Sequence, residues 1–155
     1  MHAETTVEIH GPLARIVALG ADVERWPEFL PHYRWVTLLD GGGDRKVVEM
    51  AARRGAIPLR WRAVQEIDRA GPLPVIGYRH IWGPTRGMDV AWTFAETADC
   101  VRVTIAHRFR PPWPIVGNTV ADRIIGPHFI EYVAAQTLGT IKRIVEGETA
   151  TRPSS

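Results

Sequence analysis

The sequence predicts an α+β domain in which a curved antiparallel sheet of about seven strands is wrapped around one long C-terminal helix. The strongest signal lies in residues 88–109, where apolar residues alternate through two stretches joined by a short turn at Ala98 and Asp99. Such alternation is typical of an antiparallel hairpin with one buried face. The other strand-like stretches are also joined by short connections, which favour antiparallel pairing. Residues 115–146 then show the spacing of a long amphipathic helix.

The chain opens with a strand and two short helices. Residues 5–10 alternate with one apolar face, and a Gly-Pro pair ends this strand. Residues 13–19 have helical spacing. Asp22 is placed to cap a second short helix that runs into Trp26.

Prolines are expected to interrupt that second helix at Pro27 and Pro31. Trp26, Phe29 and Leu30 then become apolar side chains on an irregular segment. A segment of this kind can close one end of a sheet.

Four strands follow the short helices, at residues 33–39, 45–54, 59–68 and 75–82. Glycine-rich turns separate them, the first reading Asp-Gly-Gly-Gly-Asp. Together with the first strand and the hairpin at 88–109, they complete the sheet of about seven strands.

The C-terminal part begins with a stiff joint, because residues 110–114 read Arg-Pro-Pro-Trp-Pro. The long helix follows, and Pro127 should end or kink it. Its apolar face is carried by Ile125, Phe129, Val133, Ile141 and Ile144. Residues 149–155 are polar, so we expect one domain over residues 1–148 and a flexible tail over 149–155.

Composition limits the class of protein. The chain has 155 residues, 45% of them apolar, which is enough for one globular core. Its 19 basic and 17 acidic residues are scattered, so a nucleic-acid partner is not expected. Cys100 has no second cysteine to pair with, and the cytoplasm is therefore the default compartment. We expect neither a signal peptide nor a membrane anchor.

Several residues at particular places in this order of elements are informative about the fold family. These are the Trp26-Pro27 pair in the second helix, Trp61 in a middle strand, Gly83 and Gly87 around a strand connection, Trp92, and the strand end His107-x-Phe109 before the proline joint. Together they resemble the START-related helix-grip (SRPBCC) superfamily over residues 5–146, and most of all its polyketide cyclase/dehydrase branch, near the coenzyme Q carrier-like proteins. The resemblance implies a hydrophobic cavity between the sheet and the long helix.

Four polar residues fall in the inward phase of the predicted strands, namely Gln65, Tyr78, His80 and His107. A buried polar group needs a partner, so each must meet protein, water or ligand. His80 and His107 are candidate acids or bases because imidazole titrates near neutrality, and Tyr78 is a candidate donor to a substrate carbonyl. The alternatives are core histidines satisfied by the protein, a space-filling tyrosine, and a Gln65 that either binds ligand or faces solvent. Arg79 points outward unless a bulge reverses its strand.

Aromatic and aliphatic residues are the candidate walls of the cavity. They are Trp26, Trp61, Trp82, Met88, Trp92, Phe94, Phe129 and Val133. The six histidines show no metal-ligand spacing, so no metal site is predicted. Phosphate-binding glycine loops and a Gly-x-Ser-x-Gly nucleophile motif do not occur.

The resemblance implies a domain that binds an apolar polyketide-like or aromatic molecule and promotes its cyclisation and dehydration. The cavity would fold the substrate while a His or Tyr moves protons, with no cofactor required. The alternative is a non-catalytic lipid or quinone carrier, with an entrance at Trp26, residues 31–33 and Trp113 that touches a membrane without stable insertion. A subunit-interaction module fits less well, because the aromatic residues alternate inward. Candidate macromolecular partners are a second copy of the chain or a polyketide synthase carrier protein.

Overall fold

A computed structural model describes residues 2–109 and 127–151, and it contains one curved seven-stranded antiparallel sheet. The strands are β1 His2–Ile9, β2 Tyr33–Gly42, β3 Arg45–Arg54, β4 Ile57–Asp68, β5 Val75–Trp82, β6 Asp89–Glu96 and β7 Val101–Arg108. The helical elements are α1 Leu13–Ala21, a 3₁₀ turn Val23–Arg25, α2 Trp26–Phe29 and α3 Pro127–Thr151. The predicted fold class is confirmed.

The sheet follows the chain from β2 to β7, and β1 then pairs with β7, giving the order β1-β7-β6-β5-β4-β3-β2. β3 and β5 span the predicted residues. β1 begins earlier than predicted, because its pairing with β7 runs from His2 opposite Arg108 to Ile9 opposite Val101. The backbone hydrogen bonds of the ladder thus extend the strand beyond its apolar alternation.

The segment after α1 differs from the prediction. Asp22 precedes a 3₁₀ turn, and its backbone carbonyl accepts the Arg25 N–H at 3.1 Å, but its side chain makes no capping hydrogen bond. Pro27 does not break the second helix; it lies in the first turn of α2, where a missing N–H costs nothing. Trp26 and Leu30 are buried, and Trp26 packs against Tyr33 at the start of β2.

A bulge in β5 overturns one prediction of an inward side chain. Ala63 pairs with His80 and Arg62 pairs with Trp82, so Ile81 is the extra residue in β5. The bulge reverses the phase after His80, and Ile81 and Trp82 are 43% and 40% exposed. Trp82 was predicted to face the cavity; it lies on the outer face instead, under the guanidinium groups of two β4 arginines. Arg79 precedes the bulge and stays outward, paired with Asp89 at 3.3 Å.

α3 covers the inner face of the sheet with one apolar stripe. The buried side chains recur every three or four residues, as on one face of a helix; they are Phe129, Ile130, Ala134, Thr137, Leu138, Thr140, Ile141 and Val145. None of the described helices is long and apolar enough to cross a membrane. Residues 110–126, which include the predicted joint, Trp113, Ile125 and the predicted start of the helix, lie outside the described residues.

The end of α3 extends into the segment predicted as tail. The helix continues to Thr151, and the Thr149 hydroxyl donates to the Val145 carbonyl at 2.9 Å. Arg15 of α1 donates to the Glu148 carboxylate at 2.7 Å, which ties the last turns to the N-terminal half of the chain. Residues 152–155 of the predicted tail lie outside the described residues.

Gly20 allows α1 to lie directly against the sheet. A Cβ at this position would come within 2.8 Å of ring carbon Cζ3 of Trp92. The absence of a side chain therefore sets how closely α1 approaches β6, and α1 in turn delivers its last carbonyl groups to the neighbouring strands.

Candidate ligand-binding cavity

One cavity, called here the inner cavity, lies between the inner face of the sheet and the first turns of α3. Its lining consists of Trp26, Tyr33, Met50, Leu59, Trp61, Tyr78, His80, Thr85, Met88, Val90, Trp92, Ile105, His107, Phe129, Ile130, Val133, Ala134 and Thr137. The cavity volume is about 60 Å³. This is room for a few water molecules and well below the roughly 300 to 1,000 Å³ of small-molecule sites, so a multi-ring ligand must push the walls apart.

The structure brings most of the predicted site residues together. Nine of the predicted residues line the inner cavity, namely Trp26, Trp61, Tyr78, His80, Met88, Trp92, His107, Phe129 and Val133. Three do not: Gln65 is buried behind the wall, Phe94 packs in the core, and Trp82 is on the outer face. Tyr33, Thr85 and Thr137 were missed as lining residues, although Thr137 lies four residues after Val133 and so shares its helix face.

Aromatic rings form the wall nearest to α2. Trp26 stacks on Trp92 with ring centroids 5.8 Å apart, and Tyr33 meets Trp26 edge-on at 5.0 Å. The Trp26 indole N–H donates to the Leu19 carbonyl at 2.9 Å. Trp26 is therefore satisfied by the protein and presents an apolar surface to the cavity.

Tyr78 and Gln65 are held by the end of α1. The last carbonyl groups of a helix have no partner within it, and here Tyr78 donates to the Gly20 carbonyl at 3.0 Å and Gln65 donates to the Ala21 carbonyl at 2.9 Å. The Gln65 amide also donates to the Tyr78 hydroxyl at 2.9 Å. Tyr78 was predicted to donate to a substrate carbonyl, and Gln65 to bind ligand or face solvent; both side chains instead complete a helix terminus. Burial raises the pKa of Tyr78.

The connection from β5 to β6 positions His80. Gly83 has φ +100°, and a Cβ there would lie 2.6 Å from the Arg60 carbonyl, so only glycine fits this turn. The connection folds back so that the Gly87 N–H donates to the His80 carbonyl at 2.9 Å. Thr85 is thereby brought to the imidazole, with its Oγ1 2.6 Å from Nδ1 of His80.

His80 and His107 lie in the cavity as neutral imidazoles. Burial and, to a smaller extent, the nearby His107 lower the pKa of His80 to about 3. Burial lowers the pKa of His107 to about 4. The expectation that they titrate near neutrality is wrong, because loss of water penalises the imidazolium form. Each keeps one N–H donor and one acceptor nitrogen.

Among the described residues, one buried polar atom of the cavity lining has no hydrogen-bond partner, namely Nε1 of Trp61. Trp61 is 5% exposed and stacks on His80 with parallel rings whose centroids are 5.5 Å apart. No charged side chain lines the cavity within the described part of the chain.

A third buried imidazole lies behind Thr137. The Thr137 hydroxyl donates to the Val133 carbonyl at 2.8 Å, so it accepts from Nε2–H of His32 at 3.0 Å. Nδ1 of His32 is buried without a partner among the described residues, and burial lowers the pKa of His32 to about 4. Sequence patterning offered no signal for this contact, because His32 lies outside any regular alternation.

The chain is similar in sequence to a known family of proteins. The profile of the family described as "Polyketide cyclase / dehydrase and lipid transport" matches residues 9–123. A protein named putative polyketide cyclase from Streptomyces halstedii is 30% identical over 102 residues, which cover 64% of this chain and 93% of that protein.

Two solved structures share the fold over nearly the whole chain. A protein from Thermus thermophilus has a TM-score of 0.79 at 17% identity, covering 98% of this chain and 100% of its own. The Zhui aromatase/cyclase from a Streptomyces species has a TM-score of 0.72 at 19% identity, covering 93% and 95%. At these identities the likeness concerns the fold alone.

Proposed function

Because this chain belongs to the polyketide cyclase/dehydrase and lipid transport family, we propose that it binds a polyketide-like or aromatic molecule in the inner cavity and promotes its cyclisation and dehydration. The observation that carries the proposal is an aromatic-lined cavity with two buried neutral imidazoles on one wall. Apolar walls take up the carbon skeleton, while the imidazoles supply the polar groups that the reaction needs.

The first contribution to catalysis is the shape of the cavity. A flexible chain of ketones can close many different rings, and a narrow aromatic slot restricts which carbons approach one another. Stacked rings such as Trp26 and Trp92 favour a flat, conjugated product over an extended chain. Binding energy is thereby used to select one folded conformation of the substrate.

The second contribution is proton transfer by His107. Its unprotonated ring nitrogen removes a proton from a carbon next to a carbonyl, and that carbon forms the new C–C bond with a second carbonyl carbon. The resulting alkoxide takes the proton from the imidazolium. Because burial disfavours the imidazolium, the proton passes on quickly. Loss of the hydroxyl together with a hydrogen from the neighbouring carbon then releases water, with His80 as the second proton carrier.

The carrier function is the second candidate, since both cavity histidines have pKa values well below neutrality and are weak bases. A carrier would hold a lipid or quinone in the same cavity without changing it. Trp26 and Tyr33, which were predicted to lie at the entrance of a carrier, are buried, and Trp113 lies outside the described residues.

The proposed macromolecular partner is a second copy of the chain or a polyketide synthase carrier protein.

Incubation with a linear poly-β-ketone thioester tests the proposed function. We expect the protein to yield one dominant aromatic product lighter by the mass of water for each dehydration, identified by liquid chromatography and mass spectrometry. Heat-denatured protein is the control, because poly-β-ketones also cyclise spontaneously to mixtures. The same mixture at the same rate with native protein, despite measurable binding, would favour the carrier.

A further inference from the structure

We infer that Trp61 is the hydrogen-bond donor that recognises the ligand, and that the inner cavity selects uncharged molecules bearing a carbonyl oxygen over carboxylates. The inference rests on the proposed function, since it names the ligand class of the same site. It concerns recognition, and so holds for an enzyme or a carrier.

The unpaired indole N–H is the first observation. Nearly all buried N–H groups have an acceptor, yet Nε1 of Trp61 has none among the described residues and its residue is 5% exposed. Trp26 lines the same cavity, but its N–H is already bonded to the Leu19 carbonyl at 2.9 Å. Of these two tryptophans, only Trp61 has a donor left for a ligand.

The neighbours of Trp61 are the second observation. Its ring lies parallel to that of His80, 5.5 Å away between centroids. His80 has Nδ1 engaged by Thr85, and His107 lines the same cavity. Trp61 is therefore in contact with one cavity imidazole, His80, and His107 is close enough to His80 to affect its pKa.

Charge is the third observation. No lysine or arginine lines the cavity within residues 2–109 and 127–151, and the two imidazoles there are neutral at pH 7. A carboxylate moved into such a site loses its hydration without gaining a cation. A ketone, quinone or ester oxygen needs only one donor, which Trp61 supplies.

Three naphthalenes of similar shape test this inference, namely 2-acetylnaphthalene, 2-ethylnaphthalene and 2-naphthoate. Calorimetric titration of the wild type should show roughly tenfold tighter binding of the ketone than of the ethyl compound, the worth of one buried hydrogen bond. The carboxylate should bind most weakly. In Trp61→Phe the ketone preference should disappear while 2-ethylnaphthalene still binds.

Trp26→Phe is the matched control, because it removes a cavity indole whose N–H is already used by the protein. It should keep the ketone preference. A preference that survives Trp61→Phe, or a carboxylate that binds as well as the ketone, would overturn the inference. Equal binding of ketone and ethyl compound by the wild type would also overturn it and leave the proposed function standing. If none of the three binds, the proposed function fails together with the inference.

A measurement on the wild type covers the case in which Trp61→Phe does not fold. In ¹H–¹⁵N spectra, the indole N–H resonance of Trp61 should move downfield when 2-acetylnaphthalene is added and not when 2-ethylnaphthalene is added. The indole resonance of Trp26 should respond alike to both. A Trp61 resonance that fails to distinguish the two ligands would contradict the inference.

Discussion

Acidification from pH 7 to about pH 4 should unfold this protein, because three imidazoles are buried in neutral form. Burial lowers the pKa of His80 to about 3 and the pKa values of His32 and His107 to about 4. In the unfolded chain the same groups take up protons near pH 6.5. Between these limits the unfolded state binds three more protons than the folded state, so stability falls as the pH falls.

The expected size of this effect is large. Each imidazole contributes a slope of about 1.4 kcal/mol per pH unit, and three together contribute about 4 kcal/mol per unit between pH 6.5 and 4. Folded domains have a total stability of only about 5 to 15 kcal/mol. The contribution is fully present above pH 6.5 and is lost as the pH drops toward the folded pKa values.

Urea unfolding at a series of pH values measures this slope. His107→Gln should reduce it by about one third, since one of three buried imidazoles is removed. His2→Gln removes an imidazole whose side chain is 49% exposed and serves as the control. A stability that is constant from pH 7 to 4.5 would show that these histidines are not buried in neutral form.

His107→Ala should lower the rate of cyclisation by roughly 10² to 10⁴, the usual contribution of a positioned proton carrier. Affinity for a non-reacting ligand should change much less, so the loss should appear in kcat. His80→Ala should have an effect in the same direction. The measurement is single-turnover conversion of the linear poly-β-ketone thioester.

His32→Gln is the matched control for that experiment, because it removes a buried imidazole that does not line the inner cavity. It should lower stability and leave turnover close to the wild-type value. If the double variant of His80 and His107 converts the substrate at the wild-type rate, the shape of the cavity alone is responsible for catalysis. If substitutions of the aromatic lining residues change the affinity for the ligand, and neither the wild type nor any variant converts it, the protein is a carrier.

Strand alternation was sufficient to predict most of the cavity. Trp61, His80, Trp92 and His107 were placed on the inner face because period-two patterning fixes the side of a sheet on which each residue lies. The prediction failed for Trp82, because one bulged residue before it reverses the alternation of inward and outward side chains. The local sequence contains no signal for this bulge.

Contacts between distant elements could not be predicted in this way. Gln65 and Tyr78 are engaged by the last carbonyl groups of α1, which lie 44 and 58 residues away from them along the chain. His32 reaches Thr137 across 105 residues. The pKa values of the buried histidines depend on the packed environment, so the residue type alone predicted titration near neutrality, which burial has moved to lower pH.

Occupation of the space between the sheet and α3 by an apolar, carbonyl-bearing molecule is the central claim. Isotope-filtered NMR of ¹³C-labelled protein with 2-acetylnaphthalene tests it most directly. We expect intermolecular NOEs from the ligand to the methyl groups of Ile105 and Val133, which line the cavity from the sheet and from α3. NOEs confined to exposed residues such as Leu38 and Leu39 of β2 would contradict the claim.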